Sequence, residues 1–216
     1  MEKDYFRYYK PKGLIIIIII LSFIYGYFLD FLASNINNMS IMEKPYVFFP
    51  SASSLIILTL IFIDRYGLKI PVIKQLFWIK DISGRYKGTI NYKHFNTGIE
   101  ETKYCYLEIE QSVSKISIKT YFDFKYQKKS EKTSSKSLVT SIINDDEFDN
   151  QKIIFTYLNK GNSLQGIPPS YGTNILSIIE RENELFLEGN YYTDKEPQTK
   201  GEMKVKLISK KLKKEF

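Results

Sequence analysis

The pattern of apolar and polar positions changes character twice along this chain. Gly13 to Leu29, GLIIIIIILSFIYGYFL, carries no charge, and Phe31, Leu32 and Ala33 prolong the run past Asp30. A helix over this stretch reaches about 26 Å, close to the hydrocarbon thickness of a bilayer. Isoleucine is a poor helix former in water, but lipid offers the backbone no outside partner, so a helix is predicted there all the same. Tyr46 to Ile63, YVFFPSASSLIILTLIFI, is a second uncharged run, with Pro50 in its first turns, where a proline is tolerated. The pattern therefore predicts two transmembrane α-helices, over about 13–33 and 46–63, joined by a nearly neutral loop at 35–44.

Charge orients the pair. Lys3, Arg7, Lys10 and Lys12 precede the first run, and Arg65, Lys69, Lys74 and Lys80 follow the second. Basic residues gather on the cytoplasmic side, which predicts a multi-pass hairpin in the inner (cell) membrane with both termini cytoplasmic. Residues 64–80 remain apolar between their lysines and include Trp78, as an interfacial linker would. Ser22 and Gly26 on the first helix, and Ser51 and Ser54 on the second, are small residues that let helix backbones approach in lipid. They are the candidate transmembrane interface, within the hairpin or between copies.

From Ser83 onward the period becomes two. Gly84, Tyr86, Gly88, Ile90 and Tyr92 alternate with Arg85, Lys87, Thr89 and Asn91, as on a strand with one face inward. Further strands are predicted over 104–111, 113–124, 136–143, 152–159, 171–180, 184–193 and 201–210, with a polar tip at 127–135 and a Gly/Pro-rich loop at 161–169. Eight short strands at regular spacing suggest a closed meander, because closure removes the exposed edges. The expected architecture is a membrane anchor over 1–80 and, over 81–216, a compact eight-stranded antiparallel up-and-down β-barrel of lipocalin-like form. An open sandwich is the alternative. A barrel of this size is either filled by its own side chains or holds one small ligand.

Composition narrows the chemistry. The single Cys105 excludes an internal disulfide, and with the single His94 it excludes a Cys/His zinc site. Asp145, Asp146, Glu147 and Asp149 lack the glycine and terminal glutamate of a calcium loop and read as a solvated turn. GNSLQG at 161–166 continues into Ile-Pro-Pro, not into the Lys-Ser/Thr of a phosphate loop. With no catalytic constellation, no metal site and no cofactor site, the chain reads as a binding protein and not an enzyme. Its net charge of +7 suits an anionic partner. Tyr86, Tyr157 and Tyr191 fall on inward rows, where rings can stack on a base. Ser135, Ser137, Asn159 and Thr173 offer hydrogen bonds to base edges or phosphate, and Arg85, Lys87 and Lys195 offer charge.

Several short motifs then fall in a recognisable order: Gly84-x-Tyr86-x-Gly88, Thr133-Ser134-Ser135-x-Ser137, Tyr157-x-Asn159, Gly172-Thr173, and Gly189-Asn190-Tyr191-Tyr192-Thr193 followed by Gly201-Glu202. With the double span before them, they resemble the membrane-anchored β-barrel effectors of the bacterial CBASS anti-phage system, associated with CD-NTase enzymes. Tyr86 stands where relatives often carry tryptophan. The resemblance implies that the barrel binds a cyclic dinucleotide, or a related cyclic oligonucleotide, made by a CD-NTase partner that it need not touch. It implies further that binding makes the spanning helices self-associate into a homo-oligomer, which disrupts membrane lipid and kills the infected cell. Two other classes remain open from the residues alone: a membrane-tethered carrier of an apolar ligand, and an adaptor with a solid barrel.

Overall fold

The computed structural model describes all residues except 1–4, 37–50, 94–97, 127–128, 146–149, 164–165, 167, 196–197 and 215–216. The chain divides into two compact units, one of residues 3–80 with 112–114, the other of residues 81–111 with 115–216.

The first unit is built on two helices. Helix α1 covers Pro11–Ile36, with the proline in the first turn, where its missing N–H leaves no bond unmade. Over Pro11–Ser34 it is long and apolar enough to cross a membrane, and it is the one such helix among the described residues. Helix α2 covers Ala52–Tyr66, 15 residues. Ser51 caps it, its Oγ accepting the Ser54 N–H at 3.2 Å. At this length α2 rises only about 22 Å, short of a full span. The two-helix transmembrane hairpin is thus corrected to one apolar helix. The second helix runs past Ile63 through Asp64 and Arg65, where the uncharged stretch has already ended, while Pro50 and the loop at 37–44 lie outside the described residues.

The helices meet where the Tyr25 hydroxyl lies 2.5 Å from Thr59 Oγ1. The small residues take no part in that bond. Ser22 Oγ donates to the Ile18 carbonyl of its own helix at 2.8 Å, Ser51 and Ser54 bond each other at the cap, and a Cβ at Gly26 would meet nothing within 4 Å. Beyond α2 the chain makes two short 3₁₀ turns, Gly67–Lys69 and Ile73–Leu76, and then pairs with the N-terminal segment. Lys10 N–H donates to the Leu76 carbonyl at 2.8 Å and Trp78 N–H to that of Tyr8 at 3.1 Å, while the Tyr9 and Phe77 rings meet edge-on at 4.7 Å. The 64–80 stretch is therefore a folded piece with aromatic packing of its own. Asp64, buried at its start, accepts from Ser114 N–H at 2.8 Å and Ser114 Oγ at 2.9 Å, and its carbonyl accepts from Val113 N–H.

The second unit is the barrel. Its strands are β1 (Gly84–Lys93), β2 (Glu100–Gln111), β3 (Ile116–Tyr126), β4 (Lys129–Asp145), β5 (Asn150–Asn159), β6 (Ser170–Arg181), β7 (Glu184–Thr193) and β8 (Lys200–Ser209). Each pairs antiparallel with the next and β8 closes on β1, so the barrel is closed and the sandwich alternative falls. Bulges after Arg85 and around Leu138 bend β1 and β4. Three strand starts differ most from the sequence pattern, β2 beginning at Glu100 and not at residue 104. β3 starts at Ile116 because residues 112–114 form the turn bound to Asp64, and β4 starts at Lys129 because the polar stretch before Lys136 pairs with β3.

Alternation sets the core. Leu107 opposes Tyr86, Tyr86 opposes Leu207, and Ile153 stands between Ile142 and Leu176. Tyr86, Leu107, Ile109, Ile118, Ile142, Ile153, Leu176, Leu187 and Val205 are all at most 2% exposed. At about 1.5–3 kcal/mol for each large apolar side chain, this half of the interior supplies most of the drive to close the barrel.

Candidate functional site

The inner rows do not stay apolar along their length. Toward the end where β1 joins β2, β3 joins β4, β5 joins β6 and β7 joins β8, they turn to hydroxyls, amides and phenols. Thr133, Ser135 and Ser137 come from β4, Tyr157 and Asn159 from β5, Ser170 and Asn174 from β6, and Tyr191 and Thr193 from β7. All nine are buried. Register brings them together: Ser135 opposes Asn159, which opposes Ser170; Ser137 opposes Tyr157, then Gly172, then Thr193; Asn174 opposes Tyr191.

Some of these groups are committed to the fold. Ser137 Oγ accepts the Ile118 N–H at 2.9 Å beside the β4 bulge, Asn159 Oδ1 accepts the Gly161 N–H at 2.9 Å, and Thr193 Oγ1 bonds both the N–H and the carbonyl of Thr199. Others are not. Thr133 Oγ1, Thr140 Oγ1 and Asn174 Oδ1 are buried without a hydrogen-bond partner, a condition that costs about 1–3 kcal/mol per group. A fold does not keep buried polar atoms unpaired without reason. Asn174, on the row between Phe155 and Tyr191, is the most deeply buried of them at 1% exposure.

The tyrosines complete the surface. Gly172 carries no side chain where one would collide with the phenol end of Tyr157, so that end of the ring lies against β6. Burial, helped by the Asp194 carboxylate, pushes the Tyr157 phenol up to about 12, and burial beside Tyr157 raises Tyr191 as well. Both stay protonated at neutral pH as O–H donors with apolar faces. Burial alone pushes the Cys105 thiol up to about 12, so it is an unreactive part of the wall.

Of the residues the sequence pointed to, Ser135, Ser137, Tyr157, Asn159 and Tyr191 converge here, and Lys195 lies half-buried in the β7–β8 connection at the same end. The others are elsewhere. Tyr86 sits fully buried in the apolar half, its hydroxyl donating to the Ile82 carbonyl at 2.8 Å, six residues and about 20 Å along β1 from Tyr92. Arg85 and Lys87 alternate with it, so they belong to the outer face. The Arg85 guanidinium bonds Glu108 at 2.6 Å with both side chains 3% exposed, and lies over the Tyr106 ring. Glu108 also accepts the N–H groups of Lys213 and Lys214. Thr173 likewise faces outward, opposite Thr156.

Sequence reasoning missed Ser170, Asn174, Thr193, Glu101 and Lys103 as inner-row residues, while the row of Tyr86 rightly included Tyr92. A signal existed for Thr193, two positions from Tyr191, which the sequence placed inside; Asn174 and Ser170 follow only through the register of β6 against β7 and β5. An apolar carrier needs a largely apolar lining at this end, where Ser, Thr, Asn and Tyr outnumber the buried Phe122.

A family model described as Cap15, cyclic dinucleotide receptor domain, matches residues 77–207, more than half of the chain and nearly all of the barrel. No curated protein matches the chain.

Proposed function

The chain belongs to the Cap15 cyclic dinucleotide receptor family, and from that premise we propose that the polar half of its lumen is where the dinucleotide binds. The observation that carries this reading is the split interior: one half filled with aliphatic side chains, the other lined by polar groups of which Thr133 and Asn174 lack partners. Bases stack on the Tyr157 and Tyr191 rings, at about 1–3 kcal/mol each, while Ser135, Asn174 and Thr133 bond their edges. The domain binds and does not catalyse.

The rest of the effector cycle follows from the same premise. A CD-NTase answers infection by making the ligand, the barrel captures it in the cytoplasm, and the apolar helices self-associate and breach the inner membrane. Such a switch requires that the ligand favour the assembled state, since equal affinity for both states shifts nothing. The face of α1 carrying Ser22 and Gly26, open at Gly26, supports the helix contact.

The test is calorimetry of the full chain in detergent micelles, titrated with cyclic di-AMP, cyclic di-GMP and cyclic GMP–AMP. At least one binds, with affinity falling as salt rises, because two phosphodiesters meet a basic protein. Absence of binding to all three refutes the reading.

A further inference from the structure

The polar lumen leaves open which group meets the ligand's charge. Of the basic residues named from sequence, Arg85 is bound to Glu108 and Lys87 faces outward, while Lys195 lies outside the strands in the β7–β8 connection. Besides Lys129 at the start of β4, which shares the parity of Thr133, register puts on the inner row Lys103 of β2. It opposes Ile90, and Glu101 opposes Tyr92, on the same rows that carry Cys105 and Leu107 deeper in. Lys103 and Glu101 are 32% and 31% exposed, whereas Ile90 and Cys105 are buried, so the pair stands at the mouth where an anion arrives from water.

Their geometry is that of a held charge. Lys103 Nζ lies 4.4 Å from the Tyr92 ring centroid and 4.0 Å from Glu101 Oε2, and the Tyr92 hydroxyl donates to that same oxygen. A long, partly exposed ion pair contributes little by itself. A phosphodiester offers the ammonium shorter, charge-assisted hydrogen bonds. The hydrogen-bonded row through Glu101 and Tyr92 continues across Gly201 to Tyr191 and Asn174, so the mouth pair and the unpaired amide share one band of the wall.

Building on the receptor reading above, we infer that Lys103 is a lumenal cation that takes a phosphodiester of the cyclic dinucleotide, and that Glu101 is the internal anion this phosphate displaces. In the empty barrel Glu101 and the Tyr92 face park the ammonium at the rim. On binding, Lys103 turns from carboxylate to phosphate, and Glu101 keeps its bond from the Tyr92 phenol. The carboxylate thereby sets a threshold, weakening every anionic ligand that does not engage Lys103 directly.

The test uses the full chain in micelles and the same three cyclic dinucleotides, titrated at low and high salt. Lys103→Met is expected to weaken binding by about tenfold or more and to flatten its salt dependence, while Lys103→Arg keeps both near wild type. Glu101→Gln is expected to tighten binding by about threefold or more, because it removes the competing negative charge. Thermal unfolding identifies any variant that fails to fold, and if Lys103→Met does, the direction of the Glu101→Gln effect decides. Unchanged or weaker binding by Glu101→Gln, or wild-type affinity and salt dependence in a folded Lys103→Met, overturns the inference alone. A wild-type chain that binds none of the three overturns the receptor reading, and this inference with it.

Discussion

Arg85 and Asn174 are both buried polar side chains, and the barrel uses them in opposite ways. Arg85 is fully engaged, by the Glu108 carboxylate at 2.6 Å and by the Tyr106 ring. Removing one member of such a pair strands the other, so Arg85→Ala is expected to lower stability by about 3–5 kcal/mol in chemical denaturation. Asn174 Oδ1 is unpaired, so exchanging the amide for an apolar group of similar shape removes a cost. Asn174→Leu is expected to leave stability unchanged or higher while weakening cyclic dinucleotide binding by about tenfold or more in calorimetry. A variant that lost stability and kept affinity would show Asn174 to be a structural residue. Sequence alone gave these two side chains the wrong order of interest. A basic residue next to an inward tyrosine looked like a phosphate ligand, but one step along a strand reverses the face, and Arg85 was already spoken for by an acid across the sheet.

At the scale of elements, β4 shows why the site was harder to read than the fold. Its first half, KSEKTSS, looks like a loop tip because no apolar residue marks its inward side. Yet Thr133 and Ser135 are buried, pairing with Phe122 and Thr120 of β3. Strand detection relies on apolar alternation, so a strand fails to register where it lines a polar cavity. The apolar halves of β2, β5 and β6 were legible for the converse reason. In the N-terminal unit, the long isoleucine run identified α1, while the second uncharged stretch and helix α2 do not share their ends. Gly26 remains an exposed small position of α1, with open space where a Cβ would stand. Gly26→Leu is expected to abolish ligand-dependent toxicity in a growth assay with cyclic dinucleotide affinity unchanged, since a bulky side chain keeps helix backbones apart in lipid. Loss of toxicity and of affinity together would contradict a role confined to helix contact.

At the scale of the whole molecule, the chain combines one unit whose largest helix has exposed apolar side chains with a closed barrel whose inner rows are aliphatic in one half and polar in the other. Barrel closure, strand count and order followed from period and spacing, because each strand pairs with its sequence neighbour and closure spares all edges. Which half of the interior stays polar emerged only when register placed Thr133, Asn174 and Tyr191 at one end. The central claim is that this end captures the messenger, and the most direct measurement is photo-crosslinking of an azido-substituted cyclic dinucleotide to the full chain, followed by peptide mapping. The account predicts label within 133–137, 157–159, 170–174 and 191–193, lost on addition of unlabelled ligand. Label confined to the outer face around Arg85 and Lys87, or to the aliphatic half around Tyr86 and Leu187, would contradict it.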